Sequence, residues 1–160
     1  MAEEQQAVAR AERPDEEQHT VEVEIVTPDG GLYEETGKMV VVPGVEGQMG
    51  IMARHQTLVS LLRIGETHVT REDGSIDSFA TGIGYVEVLF SHVRVVVDHA
   101  EQAGAIDIAR AEEARRRAEE RLAVRDDPGA RAEVDFYRAE QALKRAQNRI
   151  KVAQAAAGQH

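Results

Sequence analysis

Between Thr20 and Val97 the chain is written in a period of two. Val21, Val23 and Ile25 alternate with Glu22 and Glu24, as a half-buried strand requires. Thr27-Pro28-Asp29-Gly30-Gly31 then supplies a turn. Lys38–Val42 is a short β-branched run stopped by Pro43-Gly44, and further strands are predicted at Thr57–Leu62, His68–Arg71, Ile76–Ala80, Tyr85–Leu89 and Val93–Val97. Glu72-Asp73-Gly74-Ser75 reads as a hairpin turn. Short strands with frequent turn signals and no helix between them predict an antiparallel β-sandwich or barrel rather than a parallel sheet.

After Gly104 the period changes. Asp107 stands where a helix N-cap belongs, and Ile108, Ala111, Ala114, Ala118 and Leu122 follow at helical spacing until Asp126-Asp127-Pro128-Gly129 breaks the pattern. Phe136, Ala139, Leu143, Ala146, Ile150 and Ala153 define the seam of a second helix. A short turn between two helices predicts an antiparallel hairpin. Four segments follow: an acidic disordered tail at 1–19, a sandwich at 20–104, a helical hairpin at 105–155 and a flexible end at 156–160. The first of these lacks the apolar stretch of a signal peptide.

Composition sharpens the boundary. Residues 105–160 hold 12 Lys/Arg and 10 Asp/Glu, whereas residues 1–104 hold 7 and 19. The whole chain carries a formal charge of −10, the wrong sign for a nucleic-acid binder, which gains affinity by neutralising phosphates. Absence of cysteine excludes disulfides, thiol nucleophiles and thiolate metal sites. No apolar run reaches the roughly 20 residues of a membrane-spanning helix, so no direct membrane insertion is expected. In the helices the apolar positions are mostly Ala, a strong helix former that contributes little on burial. The pair should therefore be strongly helical but weakly adherent, an element able to detach without melting; an ordinary fixed hairpin is the other reading.

Chemical motifs are sparse. The histidines (His19, His55, His68, His92, His99 and His160) lack close ligand pairing, so no metal site is expected. Pro43-Gly44-Val45-Glu46-Gly47-Gln48-Met49-Gly50 lacks the Gly-Lys-Ser/Thr ending of a phosphate loop and reads as a turn-dense loop between strands. Gly82-Ile83-Gly84 lacks the third glycine of a dinucleotide fingerprint and is read as permitting close strand packing. No Ser/His/Asp motif points to an enzyme.

The arginines say more. Arg110 and Arg117 lie seven apart on one helix, and Arg145 and Arg149 four apart on the other, so each pair shares a face. An antiparallel hairpin could make the four converge, and gathered guanidinium groups repel unless carboxylates or a polyanion such as phosphate neutralise them. The same residues also read as solvated faces with i,i+4 partners, Glu113 to Arg117 and Glu140 to Lys144.

Read together, these segments resemble the epsilon subunit family of the bacterial F-type, proton-translocating ATP synthase over roughly Val21–Ala153. The likeness is carried by Val26-Thr27-Pro28-Asp29-Gly30, by Val42-Pro43-Gly44-Val45-Glu46-Gly47 leading into Gly50-Ile51-Met52, by His55, and by Gly82-Ile83-Gly84-Tyr85-Val86-Glu87-Val88. Where the family usually has Pro-Gly before that histidine, this chain has Ala53-Arg54. Ile106-Asp107-Ile108-Ala109-Arg110-Ala111 is similar to the family's nucleotide-binding signature, and the other arginines match Arg117, Arg145 and Arg149, with Glu101 at the position of a peripheral acidic residue. The resemblance implies a non-catalytic rotor-stalk subunit on the cytoplasmic face of the plasma membrane. Its sandwich would hold the gamma subunit and the membrane ring of c subunits. Its hairpin would bind ATP as a regulatory ligand when folded down, and when extended would reach the alpha and beta subunits and oppose ATP hydrolysis. A free-standing scaffold for soluble partners is the rival reading, and a jelly-roll enzyme or sugar binder ranks last, with only 6 aromatic residues to line a cleft.

Overall fold

A computed structural model describes residues 19–127, 129 and 134–158. Residues 1–18, 128, 130–133, 159 and 160 lie outside that range, and with them nearly all of the expected acidic tail and part of the expected flexible end. Among the described residues nine strands precede two helices: β1 (Val21–Thr27), β2 (Gly30–Gly44), β3 (Gly47–Met52), β4 (Leu58–Leu62), β5 (Gly65–Arg71), β6 (Ile76–Thr81), β7 (Gly84–Leu89), β8 (His92–Val97), β9 (Ala100–Gln102), α1 (Ile108–Ala123) and α2 (Phe136–Ala157). This is the expected order of a β-sandwich followed by a helical hairpin.

The strands run β1-β8-β7-β4-β2-β5-β6-β9, with β3 on β2 and β1 returning to β2. Every pairing is antiparallel except β1 with β8. The parallel register sets Glu22 opposite His92 and Glu24 opposite Arg94, and both pairs form side-chain contacts, at 2.9 Å and 2.7 Å. Alternation on β1 buries Val21, Val23 and Ile25 as the sequence predicts. They join Val40, Val42, Ile51, Leu62, Val69, Phe79, Val86, Val88, Val93, Val95 and Val97 in one core, built from β-branched and aromatic residues that suit a pleated, half-buried surface. Tyr33 stacks edge-on against Phe79 at 4.8 Å and donates a 2.7 Å hydrogen bond to Asp77. Burial and the Asp77 carboxylate together hold its hydroxyl well above the ordinary tyrosine pKa.

The strands depart from the sequence reading in four places: β9 was not expected, β5 begins at Gly65 rather than His68, and β2 and β3 extend further. β2 begins eight residues before Lys38, because Tyr33-Glu34-Glu35-Thr36 is polar yet pairs along β1. β3 occupies part of the stretch read as a turn-dense loop: Gly47–Met52 pairs with Met39–Gly44, and only the two-residue turn at Val45-Glu46 remains non-strand. Gly82 and Gly84 do serve close packing. A Cβ on Gly84 would stand 1.9 Å from the Val96 carbonyl oxygen, and one on Gly82 1.7 Å from Asp98 Oδ1. Arg54 takes φ +61°, so the loop keeps the left-handed turn that glycine adopts without strain.

The helices obey a different rule. α1 buries only Ala111 and Ala118; α2 buries Ala139, Ala146, Ile150, Val152 and Ala153. None of these belongs to the sandwich core. α2 continues through Ala157, so Ala156 and Ala157 of the expected flexible end are helical. At the turn end Arg125 pairs with Glu140 and stacks over the Phe136 ring at 5.2 Å. Glu140 is therefore engaged across the hairpin by Arg125, which offers a planar guanidinium, rather than by Lys144 on its own helix.

Candidate functional site

Asp107 and Asp135 do the same work at the two helix starts: each side-chain Oδ1 accepts the backbone N–H three residues on, from Arg110 and Arg138, at 3.0 Å. Asp107 thus satisfies one of the free N–H groups of the first turn and favourably faces the positive end of the helix dipole.

The hairpin register fixes where the arginines stand. Besides the Arg125–Glu140 pair, Arg115 lines a groove with Gln147, Ile150, Lys151 and Gln154. Ile106 and Ile108 line a cavity with Ala153, Ala156 and Ala157. At a rise of about 1.5 Å per residue, this antiparallel register puts Arg117 level with about residue 148, and Arg110 level with about residue 155, roughly 9 Å beyond Arg149 along the axis. Arg117, Arg145 and Arg149 therefore share a level, while Arg110 stands nearly two turns away. Arg117 meets Glu113 at 3.5 Å on an exposed face, the i,i+4 pair expected from sequence. Arg110 and Arg145 form no ion pair among the described residues.

Where α2 meets the sandwich the contacts are polar. Arg149 Nε donates to Glu101 Oε2 on β9 at 2.8 Å. One residue earlier, Asn148 Nδ2 donates to the Gly65 carbonyl at the start of β5, also at 2.8 Å. Val152 is fully buried. The turn between β8 and β9 contributes His99, whose Nδ1 lies 2.7 Å from Asp98 Oδ1. Burial pushes the His99 imidazole below its ordinary pKa; Asp98 opposes this, and Arg149 and Arg145 reinforce it. Glu101 and Arg149, singled out in the sequence, thus meet at one junction, with Arg145 one turn before Arg149 on the same helix. Asn148, His99 and Asp98 complete it and were not anticipated, because only the fold brings a turn at residue 98 beneath a helix at residue 148.

A second surface is apolar. β4 reads Leu58-Val59-Ser60-Leu61-Leu62, buries Leu62, and leaves Val59 and Leu61 68% and 65% exposed. Leu61 lies opposite the exposed Tyr85 on β7, and the Leu61 carbonyl accepts the Val45 N–H, bringing another exposed apolar residue alongside. The signal was present in the sequence as a strand without polar alternation, the pattern of one covered on both faces. Among the described residues no cluster of His, Cys, Asp and Glu could hold a metal, and no helix is long and apolar enough to cross a membrane.

Residues 20–103 match the family model described as the ATP synthase delta/epsilon chain, beta-sandwich domain, and residues 105–154 match the ATP synthase delta/epsilon chain, long alpha-helix domain. The ATP synthase epsilon chain of Latilactobacillus sakei is 43% identical over 109 residues, 67% of this chain and 75% of that relative. That of Shouchella clausii is 42% identical over 114 residues, covering 71% and 85%. In structure, the chain is similar to one in the Euglena gracilis mitochondrial ATP synthase, from a cryo-EM structure of its OSCP, F1 and c-ring. The TM-score is 0.68 and the identity 23%, over 89% of this chain and 82% of that one. With both of its parts matched in order by that family, and relatives above 40% identity across two thirds of its length, the chain belongs to the delta/epsilon family of F-type ATP synthase subunits, as an epsilon chain.

Proposed function

We propose that this chain is a non-catalytic subunit of the rotor stalk in a proton-transporting ATP synthase, peripheral to the cytoplasmic face of the membrane, with a helical hairpin that regulates ATP hydrolysis. The sandwich carries the assembly role. Its exposed Val59, Leu61, Tyr85 and Val45 offer the apolar area that a permanent partner such as gamma would cover, and the c ring is the other partner that family membership supports. Extended, the basic hairpin would reach the alpha and beta subunits and oppose hydrolysis.

The observation that carries the regulatory reading is the junction of α2 with the sandwich. It is held by one hydrogen bond from Asn148, one Arg149–Glu101 pair and the buried Val152, so docked and detached states would differ by little. ATP is the proposed ligand of the docked state, through Arg117, Arg145 and Arg149 at one level, Arg110 farther along, Asp107 at the helix start and Glu101 at the edge. These residues fit a triphosphate in charge, and the offset of Arg110 suits an extended anion rather than a compact one. Arg149 would exchange part of its contact with Glu101 for phosphate, where a guanidinium can bind two oxygens at once. A ligand at tenfold excess over its Kd shifts the balance by about 1.4 kcal/mol, enough only if the two states are already close.

Isothermal titration of the isolated chain tests the site. The Arg110→Ala/Arg145→Ala double variant should weaken ATP binding at least tenfold, and unchanged binding would remove the assignment. Truncation after Gly104 should leave the assembled complex intact and raise its ATP hydrolysis; an assembled but equally slow complex would contradict the regulatory role. Co-purification with the catalytic subunits separates this reading from a free-standing scaffold.

A further inference from the structure

We infer that protonation of His99 releases the hairpin from the sandwich, so that acidification through the histidine range acts as a second regulator of the same junction. The inference rests on the mobile-hairpin reading above and adds to it a ligand, the proton, and a residue that receives it.

The argument is one of charge balance in a partly closed space. His99 sits in the turn between β8 and β9, its ring against Gly82, where even a single Cβ would come within 2.4 Å of the imidazole. The Gly82 N–H donates to the His99 carbonyl at 2.9 Å, fixing the turn. From the turn itself Asp98 faces the ring at 2.7 Å. From β9 comes Glu101, bound to Arg149. From α2 comes Arg149, held by Glu101 two residues along from His99, with Arg145 one turn before it on the same helix; both positive charges disfavour the protonated ring. With the imidazole neutral, two guanidinium groups face two carboxylates and the junction is balanced. A proton on His99 leaves three cations against two carboxylates, at the contact that holds α2 down.

Detachment of α2 removes both arginines, while Asp98 stays beside the ring on the same turn. His99 therefore binds its proton more tightly in the detached state than in the docked one. The sign follows from linkage: the docked imidazole is held below its ordinary range, so the contribution of this group to docking is complete above the detached-state value. It is lost as pH falls from there through the docked-state value. A ligand that prefers one conformer moves the population toward it, and here the proton prefers the detached one. Phosphate bound at Arg145 and Arg149 would restore the balance, so ATP and protons should oppose each other.

The native chain has no cysteine, so a label pair is easily placed at exposed positions, Gln56→Cys on the sandwich and Lys144→Cys on α2. Distance distributions from spin labels, recorded without nucleotide between pH 8 and pH 5.5, report the docked fraction directly. The docked population should fall as pH drops across this range. His99→Gln should stay docked across the range, and Arg145→Gln, which leaves the protonated cluster neutral, should shift the transition to lower pH. A Val152→Asp control, driving a charge into the buried contact, should detach the hairpin at pH 8. If Val152→Asp moves the labels but pH does not, or if His99→Gln retains the full pH response, the proton switch is overturned while the mobile hairpin stands. If neither Val152→Asp nor acid moves them, the mobile-hairpin reading falls and the switch with it.

Discussion

The sandwich and the hairpin are held together by different chemistry. In the sandwich, Phe79, Ile25, Ile51 and a set of valines lie within 2% of complete burial, each large enough to contribute roughly 1.5–3 kcal/mol. In the hairpin the buried positions are Ala111, Ala118, Ala139, Ala146 and Ala153 with Ile150 and Val152, and alanine contributes a fraction of that. Surface ion pairs along α1, such as Arg115 with Glu112 at 2.8 Å, add a few tenths of a kcal/mol each. The lesson is a division of labour: one part gains its stability from the tertiary core, the other from its own helical propensity, which it keeps when it moves.

This contrast can be broken at its strong side first. Phe79→Ala should destabilise the sandwich by about 3–5 kcal/mol, read as a lower urea midpoint in the strand signal. Val152→Ala removes two buried methyl-sized groups, worth about 1.5 kcal/mol. Its effect should fall on docking: label distances lengthen while the helical circular dichroism and the sandwich midpoint hold. A sandwich midpoint lowered by the full amount would show that the two parts unfold as one and that the contrast is false. Smallest and opposite in sign, Arg54→Gly should stabilise the sandwich by up to about 1 kcal/mol, since glycine takes the left-handed conformation of residue 54 without a Cβ clash. Thermal unfolding would register it as a rise of a few degrees.

How much of this was legible in the sequence differs between the same two parts. Helix starts were written plainly, because an N-cap is a local device: Asp107 needs only its own chain three residues on. β1 was legible because its alternation is strict. β3 was not, since Gly47, Met49 and Gly50 satisfy strand geometry only in the presence of β2, and a glycine-rich stretch has no intrinsic preference to announce it. For the candidate site, the arginines could be read in sequence, whereas their common level and the offset of Arg110 depend on a hairpin register that the pairing of Arg125 with Glu140 reveals. Asn148 stood unnoticed between two conspicuous arginines, although its bond to the Gly65 carbonyl spans 83 positions of chain.

The parallel contact of β1 with β8 bears on how the polypeptide is made. Glu24 meets Arg94 across 70 positions, so a nascent chain emerging from the ribosome holds its first strand half-satisfied until the eighth has been synthesised. Such delay is a feature of non-local pairing, and an open strand edge is a template for other chains. A translational pause before Val93 should favour aggregation, whereas a pause within α1 should find the first strand already sheltered.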